Sequence, residues 1–186
     1  MWFWSSVLFA ILSSGLVAPA LDGAGGPPAL VPDESKPVAH ADIQNPVGTK
    51  LGTANFFNEA GTIRMEIDVV ALVPGTHAVH ILTKGVCEGA SRFASAGPHF
   101  NPENKKHGFQ NPEGPHAGDL CNIEAGPDGH ANSTMLVPLA SLGSSANSLF
   151  HAGGTSIAID ENTDDYRTDP DGKSGAHVAC GQIVKD

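Results

Sequence analysis

Charge is scarce in this chain of 186 residues: Asp, Glu, Lys and Arg make up 16%, and only ten residues are basic. The basic residues are scattered, with only Lys105 and Lys106 adjacent. Nothing here builds a phosphate-binding stripe, so nucleic acid is not expected as a partner. Aromatic residues are also few at 6%, with one Tyr and both Trp residues at positions 2 and 4. Past the first 18 residues no apolar run reaches the length of a bilayer span, so no membrane partner is expected either. Low charge beside 22 Gly and 14 Pro argues against coiled coils and helical bundles and favours short strands joined by turns. The length predicts a single domain able to bury a core.

What is abundant is acid and histidine: the net charge is −10, and nine His stand against one Tyr. That imbalance points towards metal. Residues 1–18, an apolar run followed by Leu16-Val17-Ala18-Pro19-Ala20, read as a secretory signal peptide lacking the usual basic start. A secreted chain can hold disulfides. The three cysteines, Cys87, Cys121 and Cys180, allow one bridge and one leftover thiol, or a link between chains. Asn132-Ser133-Thr134 is an N-glycosylation sequon, so Asn132 is a candidate glycan site.

Residues 19–37, with five Pro and three Gly and no periodicity, read as a disordered leader. From residue 38 onwards, strand-like runs alternate with turn residues such as Glu59-Ala60-Gly61, Pro74-Gly75 and Pro127-Asp128-Gly129. The predicted strands are 38–43, 53–58, 62–72, 76–82, 120–125, 130–137, 155–160 and 176–184. Eight short strands imply an all-β barrel or sandwich with Greek-key connections. Two connections, 83–119 and 161–175, far exceed hairpin length and are candidates for function.

The first long connection carries His99, His107, His116 and Asp119. Three imidazoles and one carboxylate complete a tetrahedral Zn²⁺ set with no position left for water. Scattered polar histidines would be the plainer explanation. Four ligand-type residues within 21 positions, embedded among Gly and Pro, favour metal.

With these residues in view, the sequence resembles the copper/zinc superoxide dismutases. The resemblance rests on Gly97-Pro98-His99-Phe100-Asn101-Pro102, Lys106-His107-Gly108 and Gly114-Pro115-His116-Ala117-Gly118-Asp119-Leu120, which look like that family's zinc loop. Pro74-Gly75-Thr76-His77-Ala78-Val79-His80 is similar to the strand entering its copper site. Gly85-Val86-Cys87-Glu88 and Gly175-Ala176-His177-Val178-Ala179-Cys180-Gly181 resemble the two ends of its disulfide, and Asp164-Asp165-Tyr166 with Thr168-Asp169-Pro170 its electrostatic loop. The resemblance spans residues 38–186 and implies an eight-stranded Greek-key β-barrel with two long functional loops. It implies one Zn²⁺ per chain on His99, His107, His116 and Asp119, with Asp164 orienting His107 and His80. It also implies a Cys87–Cys180 disulfide, which leaves Cys121 as a free thiol, and a homo-oligomer of at least two chains.

The pattern breaks where the family binds copper with four imidazoles. Alternation on a strand puts Val79 and Ile81 on the inner face and His80 with Leu82 on the outer one. Leu82 thus takes a ligand position without a lone pair, and Asp160 stands where the last His belongs. Of the four, His80 and His99 remain. The family's guiding Arg is also replaced, by His177, which removes a fixed positive charge that would steer a small anion.

The expected function is therefore a secreted, extracellular, non-enzymatic relative: zinc bound, copper absent or weak, with a role in carrying divalent metal or as a structural plasma protein. It resembles the dismutase-like plasma proteins of bivalve haemolymph, the cavortin, dominin and pernin group. The alternative is a weakly active dismutase using His80, His99 and Asp160 as a two-His-one-carboxylate set. A copper-chaperone domain can also carry Asp at the last ligand position, but this chain has no Cys-x-Cys or Cys-x-x-Cys handoff site. His77 is expected to hydrogen-bond in the core, and His40, His130 and His151 to be solvated.

Overall fold

The computed structural model describes residues 35–186. The expected signal peptide, 1–18, and all but the last three residues of the leader lie outside the described residues. Alternation of apolar and polar side chains drives the architecture from the start. In the strand Thr62–Val69 every second residue, Ile63, Met65, Ile67 and Val69, is buried, the period-2 signature of a sheet with one face on a core.

Nine strands result: β1 (Ala39–Gln44), β2 (Lys50–Glu59), β3 (Thr62–Val69), β4 (Gly75–His77), β5 (Val79–Leu82), β6 (Ile123–Ala125), β7 (Ala131–Val137), β8 (Thr155–Asp160) and β9 (His177–Lys185). Seven form one antiparallel sheet in the order β5-β8-β9-β1-β2-β3-β7, and β4 pairs with β6. Pairing between strands distant in sequence, β5 with β8 and β9 with β1, gives the Greek-key connectivity. The sheet curls around one core that includes Ile43, Phe56, Met65, Ile81, Ile157 and Ile159, and the expected β-barrel is the fold observed. Helix among the described residues is limited to two short 3-10 turns, Gly89–Ser91 and Ala94–Ala96.

Two boundaries depart from the sequence pattern. The run 76–82 is divided at Ala78, because its N–H donates to the carbonyl of Asn162 in the second long loop rather than to a neighbouring strand. The run 120–125 forms strand only from Ile123, since Asn122 is committed to that same loop.

The wall that positions the site is β5-β8-β9. Its inner face supplies Val79, Ile81, Ile157, Ile159 and Ala179 to the core. Its outer face is not left to water. There Leu82, Ala158 and Cys180 form a second apolar cluster with Phe93 and Ala96 from the first long loop. The Cys87–Cys180 disulfide ties that loop to β9, and Cys121 is a free, exposed thiol.

Candidate metal centre

The loop after β5 is clamped onto that strand by main-chain bonds. Ile81 N–H donates to Gly118 O, Phe100 N–H to Ile81 O and Gly118 N–H to Phe100 O, each at 2.8 Å. These contacts bring His99, His107, His116 and Asp119, spread over 21 positions, into one buried cluster. Gly118 is required at the clamp, because a Cβ there would fall 2.3 Å from Ile81 O.

Asp119 Oδ1 is the focus. His99 Nδ1 lies 3.0 Å from it, and the Nδ1 atoms of His107 and His116 each lie 3.1 Å away. Oδ2 of the same carboxylate accepts the backbone N–H groups of Gly108 and His116 at 2.8 and 2.9 Å. The 3.1 Å approach of His107 Nδ1 lacks hydrogen-bond alignment, which leaves a fully buried nitrogen without a partner. Such an orphan is costly unless a cation takes its lone pair. Four donors at these separations suit one shared cation about 2.0–2.2 Å from each. The residues present therefore fit a metal ion.

The electrostatics agree. Burial disfavours the Asp119 charge, but the imidazoles of His107, His116 and His99 overcome it and hold the carboxyl far below the usual range. Burial, with the neighbouring His80 and His107, carries His99 down to about 4 despite Asp119. For His107, burial is outweighed by the Asp119 and Asp164 carboxylates, which push it up to about 9.

Asp164 bridges outward from this cluster. Its Oδ1 lies 2.9 Å from His107 Nε2 and its Oδ2 lies 3.1 Å from His80 Nε2. Burial raises its pKa, yet these two imidazoles bring it to about 2. Gly172 packs against the bridge so closely that a Cβ would meet Asp164 Oδ1 at 1.8 Å and His107 Nε2 at 2.6 Å.

The positions at which the resemblance expects copper ligands are built differently. His80 is fully buried and its ring stacks on His99 with centroids 3.8 Å apart. Its Nδ1 lies 2.9 Å from Asp160 Oδ2, so both of its nitrogens face carboxylates. Asp160 gives its other oxygen, Oδ1, to His177 Nδ1 at very close range. Leu82 has no exposed surface and sits in the apolar cluster with Phe93 and Ala158. A leucine buried this way contributes about 1.5–3 kcal/mol of stability and no donor. Four imidazoles around copper are thus not available, and the residues do not fit that group. A further grouping, His80 with His99, His107 and Asp119, has ligand atoms within 4.8 Å of one another. The engagement of His80 by Asp160 and Asp164 makes His116 the better fourth member.

The contacts of several residues escaped sequence reasoning. Tyr166, the one tyrosine, joins the two long loops: its hydroxyl accepts the N–H of Asn122 at 2.7 Å, and its carbonyl accepts that of Gln110 at 2.8 Å. Asn122 exchanges bonds of 3.0 Å with the backbone of Asp164 in both directions. Asp169 accepts the His107 backbone N–H at 2.9 Å and pairs with Lys106 at 3.1 Å. His77 is buried as expected, its ring nitrogens 2.6 and 2.7 Å from the carbonyls of Asp160 and Val73. The expectation of solvated histidines holds for His40, exposed beside Asp186, and for His130, exposed 2.9 Å from Asp68. It needs correction for His151, which stacks on Phe100 at 5.4 Å with its Nε2 buried. Asn132 is exposed on β7 and donates to Asp68 at 3.2 Å.

Comparison with known proteins settles the family. Residues 50–183 match the copper/zinc superoxide dismutase (SODC) family. The chain belongs to it. A superoxide dismutase [Cu-Zn] of Aquifex aeolicus is 41% identical over 146 residues, covering 77% of this chain and 86% of that protein. An extracellular superoxide dismutase [Cu-Zn] of Brugia pahangi is 33% identical over 157 residues, covering 79% of this chain and 73% of its own length. The crystal structure of a SOD-like protein from Bacillus subtilis superposes with a TM-score of 0.74 at 38% identity, covering 78% of this chain and 97% of that one.

Proposed function

We propose that this family member is a secreted, non-enzymatic metal-binding protein that holds one Zn²⁺ on His99, His107, His116 and Asp119 and has given up copper chemistry. The observation that carries the reading is the contrast at the wall. Three imidazole nitrogens converge on Asp119 Oδ1, while the copper positions hold a buried Leu82 and an Asp160 already engaged by His80 and His177. Zinc bound there supplies fixed positive charge and no redox step. The residues of the chain do the rest: Asp164 orients His107, Asp169 holds the His107 backbone, and the two loops stay docked. Secretion is supported by the apolar start of the sequence, by the disulfide, and by an extracellular relative. Carriage of divalent metal, or a structural place in plasma such as the bivalve haemolymph proteins hold, is the role this suits. Self-association through exposed apolar residues such as Val47, Val73 and Leu136, and a glycan on Asn132, belong to the same proposal.

Elemental analysis of protein purified without added metal tests it. The expected result is about one zinc and negligible copper per chain; near-equimolar copper overturns it. A second reading, a weak dismutase on His80, His99 and Asp160, draws support from the His80–His99 stack at 3.8 Å and the 2.9 Å approach of Asp160. A dismutase assay after loading with Cu, Mn or Fe decides: activity near that of a true dismutase favours this reading over the first.

A further inference from the structure

We infer that the groove where the two long loops meet the β7–β8 connection binds a flat organic anion, an aromatic carboxylate or sulfonate, through Lys105. The groove has a volume of about 760 Å³, within the range of small-molecule sites. All three irregular segments line it: Pro98, Phe100 and Lys105 from the first loop, Asp169 and Pro170 from the second, and His151 from the connection.

Charge selects the occupant. The chain has a net charge of −10 and only ten Lys and Arg residues, yet its one adjacent basic pair, Lys105 and Lys106, stands on this groove. Asp169, the one acidic residue in the lining, is already engaged: it pairs with Lys106 at 3.1 Å and accepts the His107 backbone N–H at 2.9 Å. Lys105 is exposed and has no ion pair among the described residues, so one cation is left over. A cation at the edge of a partly apolar groove attracts the charged end of a ligand more strongly than one on an open surface.

The turn that carries Lys105 is fixed before anything binds. Asn101 Oδ1 accepts the Lys105 N–H at 2.9 Å, and Asn101 Nδ2 donates to Lys105 O at 2.8 Å. The next residue is held as well, since Lys106 N–H donates to Glu113 O at 3.0 Å. A backbone ordered in advance lowers the cost of binding. The rest of the lining suits a ring. Phe100 and His151 stack with centroids 5.4 Å apart and planes 4° from parallel. Pro98, Pro102 and Pro170 add apolar edges of restricted backbone. Aromatic and apolar walls with a few placed polar groups are what small-molecule sites use. Lys105 is not among the metal donors, so the inference stands apart from the zinc proposal.

The test is a fluorescence titration of the protein as purified with anilinonaphthalene sulfonate, an aromatic anion that brightens when it leaves water. Binding should saturate at about one molecule per chain and weaken as salt is added. Benzoate should displace the dye, whereas benzyl alcohol, of similar shape without the charge, should not. Lys105→Glu reverses the unpaired charge at an exposed position and should weaken binding about tenfold. Lys105→Arg keeps the charge, and Lys50→Ala removes a cation from an exposed pair with Asp42 on the β1–β2 wall; both should stay within about twofold of the wild type. Unchanged affinity in Lys105→Glu overturns the inference, because the dye then sits on apolar surface elsewhere. So does equal displacement by benzyl alcohol, or a loss in Lys50→Ala as large as that in Lys105→Glu.

Discussion

Around Asp119 three imidazoles meet a single carboxylate oxygen, whereas around Asp160 two imidazoles divide the two oxygens between them. The first cluster is drawn from one loop that folds back on β5, and the second from the ends of three strands, β5, β8 and β9. Asp164 touches both. One side of the wall keeps a complete donor set. On the other, Leu82 fills the space of a donor with hydrocarbon. An apolar residue on that face need not leave a hole, because it joins a cluster of Phe93, Ala96, Ala158 and Cys180.

Breaking the first cluster should have the largest effect. Asp119→Ala leaves three buried imidazoles without their anion, at a cost of about 3–5 kcal/mol. Differential scanning calorimetry should show a melting temperature lower by about 10 °C or more, and elemental analysis should show loss of the tightly bound metal.

The pH dependence of the metal-free protein sharpens the comparison. His107, raised to about 9, contributes stability that is complete below the unfolded value near 6.5 and disappears as pH rises through 9. His99, lowered to about 4, does the opposite: its contribution is present above 6.5 and disappears as pH falls to 4. Each limb amounts to on the order of 3 kcal/mol. The chelated protein should therefore be most stable near the crossing of the two limbs, and the metal-loaded protein should show a flatter profile in thermal melts recorded from pH 4 to 9.

Placing imidazoles on the outer face tests the wall from the other direction. The triple change Leu82→His, Asp160→His and His177→Arg restores an imidazole at each copper position and a guiding cation. Dismutase activity of the copper-loaded variant should exceed that of the wild type by about 100-fold, the scale of a preorganised electrostatic and ligand effect. Leu82→His alone should gain little, since Asp160 stays engaged by His177. The smallest effect belongs to the loop joint. Tyr166→Phe removes the acceptor of the Asn122 N–H, so about 1 kcal/mol should be lost in denaturant melts, with metal content unchanged.

Much of this was legible from residues alone. Strands β1, β2, β3, β7, β8 and β9 announce themselves by alternation, and the spacing of His99, His107, His116 and Asp119 within one Gly/Pro-rich loop marks a donor set before any coordinates. Leu82 and Asp160 were visible as misfits only through the resemblance to the family, counting along the strand adding which face each residue takes. The reach of His177 onto Asp160 was not visible, because a register shift at Ile159 sets it up. Nor were the break at Ala78 and the part played by Asn122, whose partners lie in the loop 161–176, tens of residues away. Contacts between two irregular segments follow no period, so sequence patterns cannot show them.

The place of Tyr166 has an optical consequence. Beyond residue 4 the chain has no indole and a single phenol, and that phenol sits at the seam where the two long loops meet. Ultraviolet emission from a form lacking its first residues would therefore come from that seam alone, an intrinsic gauge of whether the loops have parted that requires no attached dye.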